Sequence, residues 1–440
     1  MSLINLDKAK KKSDPAELKG AHRYLKSFFI TGVCLFGAVV FVTGLMNPFG
    51  LLETPMIPGI NIVKPRMLPN ARMIKAHQII QMKPAGLILG SSRAETGINP
   101  GHPGWSEAAR PVYNAALPSG RILELYAYLK HAHVQKPLKQ VVLGLDFFSF
   151  DSDPSYESDF IEKRLDGNKK WIPFLFRLKD MISILFSYNA LEASWETVTG
   201  QQRPSHGYLQ DGSQDTRKRK ELVIAKGGYF KAFESTLKAA ILAEDGIVKT
   251  KYDTELEDKK KALNQFRFLV QFCLTEKIEL YILISPVHAQ WLEMTWQLGA
   301  WEKYEQWKKD VAQVVFSFDD KDHKKSVLQL WDFSGFHTIS QELVPPASEP
   351  GSEMKWYWEA SHYKREIGNM MLDRVLVGIE GDSPRDFGVR LSRDNIAAHL
   401  YAILQQREVY AIQNPDIVDY LQGLIHKSNV PVNNGVVSVR

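Results

Sequence analysis

The longest apolar stretch of the chain runs from Ser27 to Met46, twenty residues without a charge, bounded by Lys26 and Glu53. At about 1.5 Å of rise per residue, a helix of that length covers about 30 Å, the hydrocarbon thickness of a bilayer. A buried soluble helix would carry a polar stripe, and this run has none. It predicts one transmembrane helix over 27–46. Residues 47–80 begin with Pro and Gly-rich sequence (NPFGLLETPMIPGINIVKP) and read as a stalk. Beyond them, short apolar runs alternate with helical spacing. LILG (87–90), VVLGLDFF (141–148), YILIS (281–285) and VLQLWDF (327–333) read as buried strands. RILELYAYLKHAHV (121–134) and KKKALNQFRFLVQFCLTEK (259–277) read as amphipathic helices between them. This alternation predicts an α/β domain over 81–378, built on a mainly parallel sheet covered on both faces.

Residues 151–255 interrupt the rhythm. They are charged and aromatic and carry no comparable strand, so they predict a largely helical insertion: a decorated surface excursion, a lid or a partner surface. Residues 379–440 form a C-terminal extension whose last stretch, VPVNNGVVSVR, reads as loosely ordered.

Charge adds an orientation. Residues 1–26 carry seven Lys or Arg against three acids, and basic residues beside a span favour the cytoplasmic side. The tail is thus a topology signal and not a nucleic-acid arm, and the main domain is expected on the extracytoplasmic, periplasmic side of a plasma membrane. The apolar run exceeds the roughly 7–15 residues of a signal-peptide core, and no small-x-small cleavage site follows it. The remaining composition, 44% hydrophobic and 24% charged with a net charge of +5, is that of an ordinary globular domain. Cys34 lies within the span and Cys273 in an apolar run, so no disulfide framework is expected.

Two short blocks carry the chemistry. Gly90-Ser91-Ser92 ends the first strand, and Glu359-Ala360-Ser361-His362 precedes the last helical stretch of the domain. Ligands of open α/β sheets sit beyond the carboxyl ends of the strands, and both blocks fall on that rim. A serine hydroxyl needs an adjacent base, and the base an orienting acid. Capping of the following helix is the alternative role for Ser92, and Ser91 is the alternative nucleophile. Arg93 reads as an anion-binding group or as half of a structural ion pair. His288 could also reach the rim. His131 and His133 face different sides of their helix and make no metal pair. No HExxH, CxxC or phosphate-binding glycine loop occurs, so no metal or other cofactor is expected. Packing accounts for the Trp-rich run 291–309, with an aromatic groove for sugar as the alternative.

The order LGSSRAETG after a first strand, then acid-x-x-His before a final helix, resembles the SGNH/GDSL hydrolase superfamily over residues 85–150 and 279–378. It is similar above all to the membrane-tethered members with Gly-Ser-Ser, such as the D-alanyl transfer and alginate O-acetylation proteins. The resemblance implies a three-layer, flavodoxin-like sheet domain. It makes Ser92 the nucleophile and an oxyanion donor through its N–H, His362 the base and Glu359 the orienting acid. Gly120 of the second block would be a further oxyanion donor. The third block, GLDFFSFD, lacks the usual Asn, leaving Asn114 or Asp146 nearby. Glu359 stands where Asp is usual, and Asp332 is the alternative acid.

Together these readings lead to a membrane-anchored serine acyl-esterase or O-acyltransferase acting on a cell-envelope glycan. Water or a sugar hydroxyl would be the acceptor. The resemblance also implies an acyl donor and a membrane-bound O-acyltransferase as partner. The alternative is a non-catalytic binding or assembly protein of a glycan-modification complex.

Overall fold

Leu87, Ile88 and Leu89 are wholly buried, as a strand covered on both faces requires. In the computed structural model they belong to the first of six strands among the described residues. The structure describes residues 15–151, 159–166, 171–201, 207–217, 219–242, 256–318, 328–379 and 383–428. In chain order, α1 (Pro15–Met46) and α2 (Ala71–Met82) lead to β1 (Gly86–Leu89), α3 (Ser92–Gly97), β2 (Val112–Asn114), α4 (Ile122–Gln135) and β3 (Gln140–Leu145). Among the described residues, β3 is followed by α5 (Glu162–Leu165), α6 (Trp171–Phe186), α7 (Tyr188–Thr199), α8 (Arg219–Ala225) and α9 (Gly228–Leu242). The chain continues through α10 (Leu256–Thr275), β4 (Glu279–Ile284), α11 (Ala289–Gln297), α12 (Trp301–Phe316) and β5 (Leu328–Asp332). It closes with α13 (Arg365–Leu372), β6 (Val389–Arg390), α14 (Ile396–Gln413) and α15 (Pro415–Lys427).

The strands form one mixed sheet in the order β2-β1-β3-β4-β5-β6. The first five are parallel, and β6 runs antiparallel to β5. Strand order reverses at β1, which lies between β2 and β3. Its carboxyl end therefore opens the crevice where such sheets bind ligands. Alternate strand residues feed two cores. Leu87, Leu89, Leu143 and Ile282 pack with α4, α10 and α12. Ile88, Val142 and Leu283 pack with α9, α13 and α15.

The four apolar runs read as strands are strands. The short β2 and β6 went unread, since three and two residues leave no period to detect. The segment 47–80 differs from a stalk. Its second part is α2, whose Ala76 and Ile79 join the first core. Residues 47–67 fold into a collar over the end of α1. Asn47, at φ 43°, terminates that helix in the left-handed conformation Asn tolerates. Lys64 Nζ donates to the Met46 and Asn47 carbonyls at 3.2 and 2.7 Å, and burial lowers its pKa to about 8. Asn61 Nδ2 donates to the Leu45 carbonyl at 2.8 Å.

The C-terminal extension is likewise integrated. It supplies the edge strand β6, and Leu421 and Ile425 of α15 enter the second core. Its end beyond residue 428, and the basic tail before residue 15, lie outside the described residues. Between β3 and β4 the described residues hold helices and no strand of the sheet. One turn of this region nonetheless meets the sheet: the Asp211 carbonyl accepts the Asn114 N–H at 2.8 Å, along the outer edge of β2. Within α1, Lys19–Met46 is the one helix among the described residues long and apolar enough to cross a bilayer. Every residue from 19 to 38 is exposed, and the end towards the domain is partly covered.

Candidate active site

The serine turn is built on a glycine. Gly90 has φ +148°, and a Cβ there would lie 2.7 Å from the Ala94 Cβ and 2.9 Å from the Gly144 carbonyl oxygen. Only glycine lets β1 pass into α3 at this distance from β3. Ser91 is the N-cap of α3. Its Oγ accepts the Arg93 N–H at 3.2 Å and donates to Asp146 Oδ2 at 2.5 Å. The capping role weighed for Ser92 therefore belongs to Ser91, whose hydroxyl is wholly buried and spent. Ser92 is the first residue of α3. The N–H of such a residue has no partner within its own helix, and none among the described residues takes it.

The histidine block is a small hairpin. Tyr357 and Tyr363 form an antiparallel bridge. Trp358 N–H donates to the His362 carbonyl at 2.9 Å, and Lys364 N–H to the Trp356 carbonyl at 2.8 Å. Glu359, at the bend, accepts the N–H groups of Ser361 and His362 at 2.9 Å each. Its Oε1 also holds His362 Nδ1 in close contact, while His362 Nε2 lies 2.7 Å from Ser92 Oγ. Helix α13 begins just beyond, and touches α3 backbone to backbone. A Cβ on Gly368 would lie 1.9 Å from the Gly97 carbonyl oxygen. Glycine here is what allows the two blocks to converge.

Electrostatics assign the protons. Burial alone would raise the Glu359 pKa. The His362 imidazole, the Ser361 N–H and the Arg219 charge outweigh it and hold Glu359 at about 2. An ionised carboxylate only accepts, so Nδ1 of His362 carries the proton in that contact, and an unprotonated Nε2 can accept from Ser92 Oγ–H. Ser92, His362 and Glu359 thus form one chain of hydrogen bonds at the carboxyl end of β1.

The other candidates are engaged elsewhere. Gly120 donates its N–H to the Leu117 carbonyl at 3.0 Å, so it is not free for an oxyanion. Asn114 is wholly buried, and its Nδ2 ties the Ala94 and Ile98 carbonyls of the α3 end at 3.0 and 3.2 Å. Asp332 does not reach His362. It accepts from Lys308 Nζ at 2.8 Å and lies 3.1 Å from His399 Nε2. Burial would raise its pKa, but Lys308 and His399 hold it far below the usual carboxylate range. His288 caps α11 through Nδ1, and its Nε2 lies 2.7 Å from the Glu342 carbonyl. Burial lowers its pKa to about 4.

Arg93 proves more central than its position in the sequence indicated. Its guanidinium pairs with Asp146 at 2.5 Å and donates to Ser361 Oγ at 3.1 Å from both Nε and a terminal nitrogen. It also lies over the rings of Phe148 and Trp291. One side chain thereby joins the serine turn, the end of β3 and the histidine hairpin. Asp146 on the third block was the available signal: a carboxylate at the end of a buried strand needs a cation. Beside this network lies a cavity of about 330 Å³, walled by Arg93, Asp146, Phe148, Trp291, Tyr304 and Trp307. Ser92 and His362 lie outside its lining; Arg93, next to Ser92 in the chain, borders both. No group of three or more His, Cys, Asp or Glu among the described residues is placed to hold a metal ion.

In comparisons with known proteins, no family model and no curated protein matches the chain.

The two acids should behave differently on substitution. Asp332→Asn breaks a buried ion pair and is expected to cost about 3–5 kcal/mol of stability, read by denaturant unfolding. Glu359 has a folded pKa below its unfolded value of about 4.3. Its contribution to stability is therefore fully present above about pH 4.3 and is lost as pH falls towards 2. Glu359→Gln should flatten that part of the stability-against-pH curve, and an unchanged acid limb would contradict the assignment.

Proposed function

We propose that this chain is a membrane-anchored serine acyl-esterase or O-acyltransferase of the SGNH-like type, working on a cell-envelope glycan outside the cytoplasmic membrane. One observation carries the proposal: Ser92 Oγ, His362 and Glu359 meet in hydrogen-bonding order although Ser92 and His362 are 270 residues apart. The strand order 2-1-3-4-5, with helices against both faces of the sheet, fits the three-layer, doubly wound arrangement the resemblance implies. The helices between β3 and β4 fit a helical insertion into it.

In the proposed cycle, Ser92 Oγ attacks the carbonyl carbon of an ester donor as its proton passes to His362 Nε2. The ionised Glu359 stabilises the imidazolium through Nδ1. The tetrahedral oxyanion faces the unengaged Ser92 N–H. Collapse breaks the ester C–O bond, the departing alcohol takes the proton from His362, and the acyl group remains on Ser92. A water or sugar hydroxyl then gives its proton to Nε2 and attacks the acyl carbon. Ser92 Oγ leaves and recovers the proton. Arg93 is a positioning residue in this scheme. The adjacent cavity offers an aromatic wall to the part of the substrate that does not react.

Full-length protein in detergent should hydrolyse 4-nitrophenyl acetate. Ser92→Ala should abolish turnover with little change in the unfolding midpoint, because Ser91 holds the cap. Glu359→Gln should lower kcat by about 10²–10⁴-fold. Full activity in Ser92→Ala, or none in the wild type, would favour the binding or assembly role.

The anchor supplies the location. With the basic flank cytoplasmic, alkaline phosphatase fused after the domain should be active, and a cytoplasmic reporter such as green fluorescent protein dark. The reverse pattern would overturn the extracytoplasmic assignment.

A further inference from the structure

Helix α6 carries an apolar stripe that, among the described residues, stays exposed except where its end meets α1. Trp171, Phe174, Leu178, Ile182 and Phe186 recur at intervals of three or four residues, the period of one helix face, and all are exposed. On α7, Leu191, Trp195 and Val198 repeat the pattern and are also exposed. Contiguous apolar surface of this kind marks an interaction site in a folded protein. The opposite sides of both helices are tied down by charge. Asp180 of α6 pairs with Arg164 at 2.8 Å and His77 at 2.9 Å. Glu196 of α7 pairs with Arg66 of the collar at 2.6 Å. These pairs fix the orientation: Asp180 and Glu196 face the domain, and the apolar stripes face outward.

The tip of this helical hairpin lies against α1. The rings of Phe186 and Phe36 stack at 4.7 Å, 6° from parallel. Thr43 Oγ1 donates to the Leu185 carbonyl at 2.8 Å. Thr43 and Phe36 are three and ten residues from Met46, so at about 1.5 Å per residue they lie roughly 5 and 15 Å along the apolar helix from its domain end. A turn placed at that depth must satisfy its backbone polar groups internally. Two of them are met within the protein: Ser187 caps α7, its Oγ accepting the Ala190 N–H at 3.0 Å, and the Thr43 hydroxyl donates to the Leu185 carbonyl. The exposed charges Arg177 and Lys179 flank the stripe, where long side chains reach back to the headgroups.

We infer that α6 and α7 form a re-entrant hairpin whose apolar face lies among the acyl chains of the domain-side leaflet, alongside α1. The occupant of this face is lipid, because the face is continuous with the exposed surface of a helix that lipid itself surrounds. The inference rests on α1 spanning a bilayer. A second anchoring element would hold the catalytic rim at one height and tilt over the membrane, where one flexible tether would not.

Native Cys34 lies exposed on α1 and provides the reference. In the full chain reconstituted into phosphatidylcholine–phosphatidylglycerol vesicles, an environment-sensitive maleimide dye is placed on Cys34, or on Ile182→Cys or Trp195→Cys with Cys34→Ala. Lys238→Cys, at an exposed position of α9, serves as the aqueous control. Doxyl-labelled lipid should quench the dye at 34, 182 and 195 to a similar extent, with blue-shifted emission, and leave 238 unaffected. Quenching at 34 alone, with 182 and 195 open to aqueous iodide, would overturn the hairpin and leave the span intact. Shielding of 182 and 195 from both quenchers would mean that protein covers the face, and would overturn the lipid assignment. Failure to quench at 34 would overturn the span and the hairpin together.

Discussion

The Arg93 guanidinium is buried, and a buried cation is tolerated only where partners replace its water. Here the partners come from three places in the chain: Asp146 at the end of β3, Ser361 in the hairpin before α13, and the faces of Phe148 and Trp291. Asp146 in turn accepts from Ser91. Ser91 and Arg93 flank Ser92, and Ser361 precedes His362. The pairing requirement of one cation thus fixes the neighbours of both Ser92 and His362. The 2.7 Å approach of Ser92 to His362 follows from that requirement together with the glycine contact between α3 and α13. Glu359 adds the local restraint by closing its own bend before it meets the imidazole.

What the sequence made legible was whatever depends on short-range pattern. Parallel strands covered on both faces are apolar along most of their length, so β1, β3, β4 and β5 stand out as runs. The two chemical blocks stand out because each sits at the end of a strand or the start of a helix, and a resemblance of motif order assigned their roles. Gly120, Asn114 and Asp332 failed as candidates for a different reason. Each is a polar group near the rim, but its tertiary partner decides its use. Leu117 takes the Gly120 N–H, the α3 end takes Asn114, and Lys308 with His399 takes Asp332. Nothing within a few residues of these positions announces those partners. Ser91 and Ser92 likewise look alike in sequence, and only the direction of Gly90 separates the cap from the residue that faces His362.

The same limit explains the segments read as appendages. Proline and glycine in 47–67 signalled irregular backbone, which is correct, but irregular backbone can fold tightly when Lys64, Asn61 and Asn47 supply its hydrogen bonds. The periodicity of WIPFLFRLKDMISILF is visible in the sequence. Its orientation is not, because an amphipathic helix ordinarily turns its apolar stripe inward. Here the contacts of Asp180 with Arg164 and His77 hold the polar side inward. The apolar stripe is left facing outward beside α1, and α1, the collar and the sheet domain pack together.

The central claim is that the Ser92 hydroxyl is an activated nucleophile. It is tested most directly by treating the full-length protein with a fluorophosphonate and mapping the modified peptide by mass spectrometry. The account predicts one adduct per chain, on Ser92, which His362→Ala prevents. An adduct on Ser91 or another serine, or an unmodified protein under conditions that label a control serine hydrolase, would contradict it.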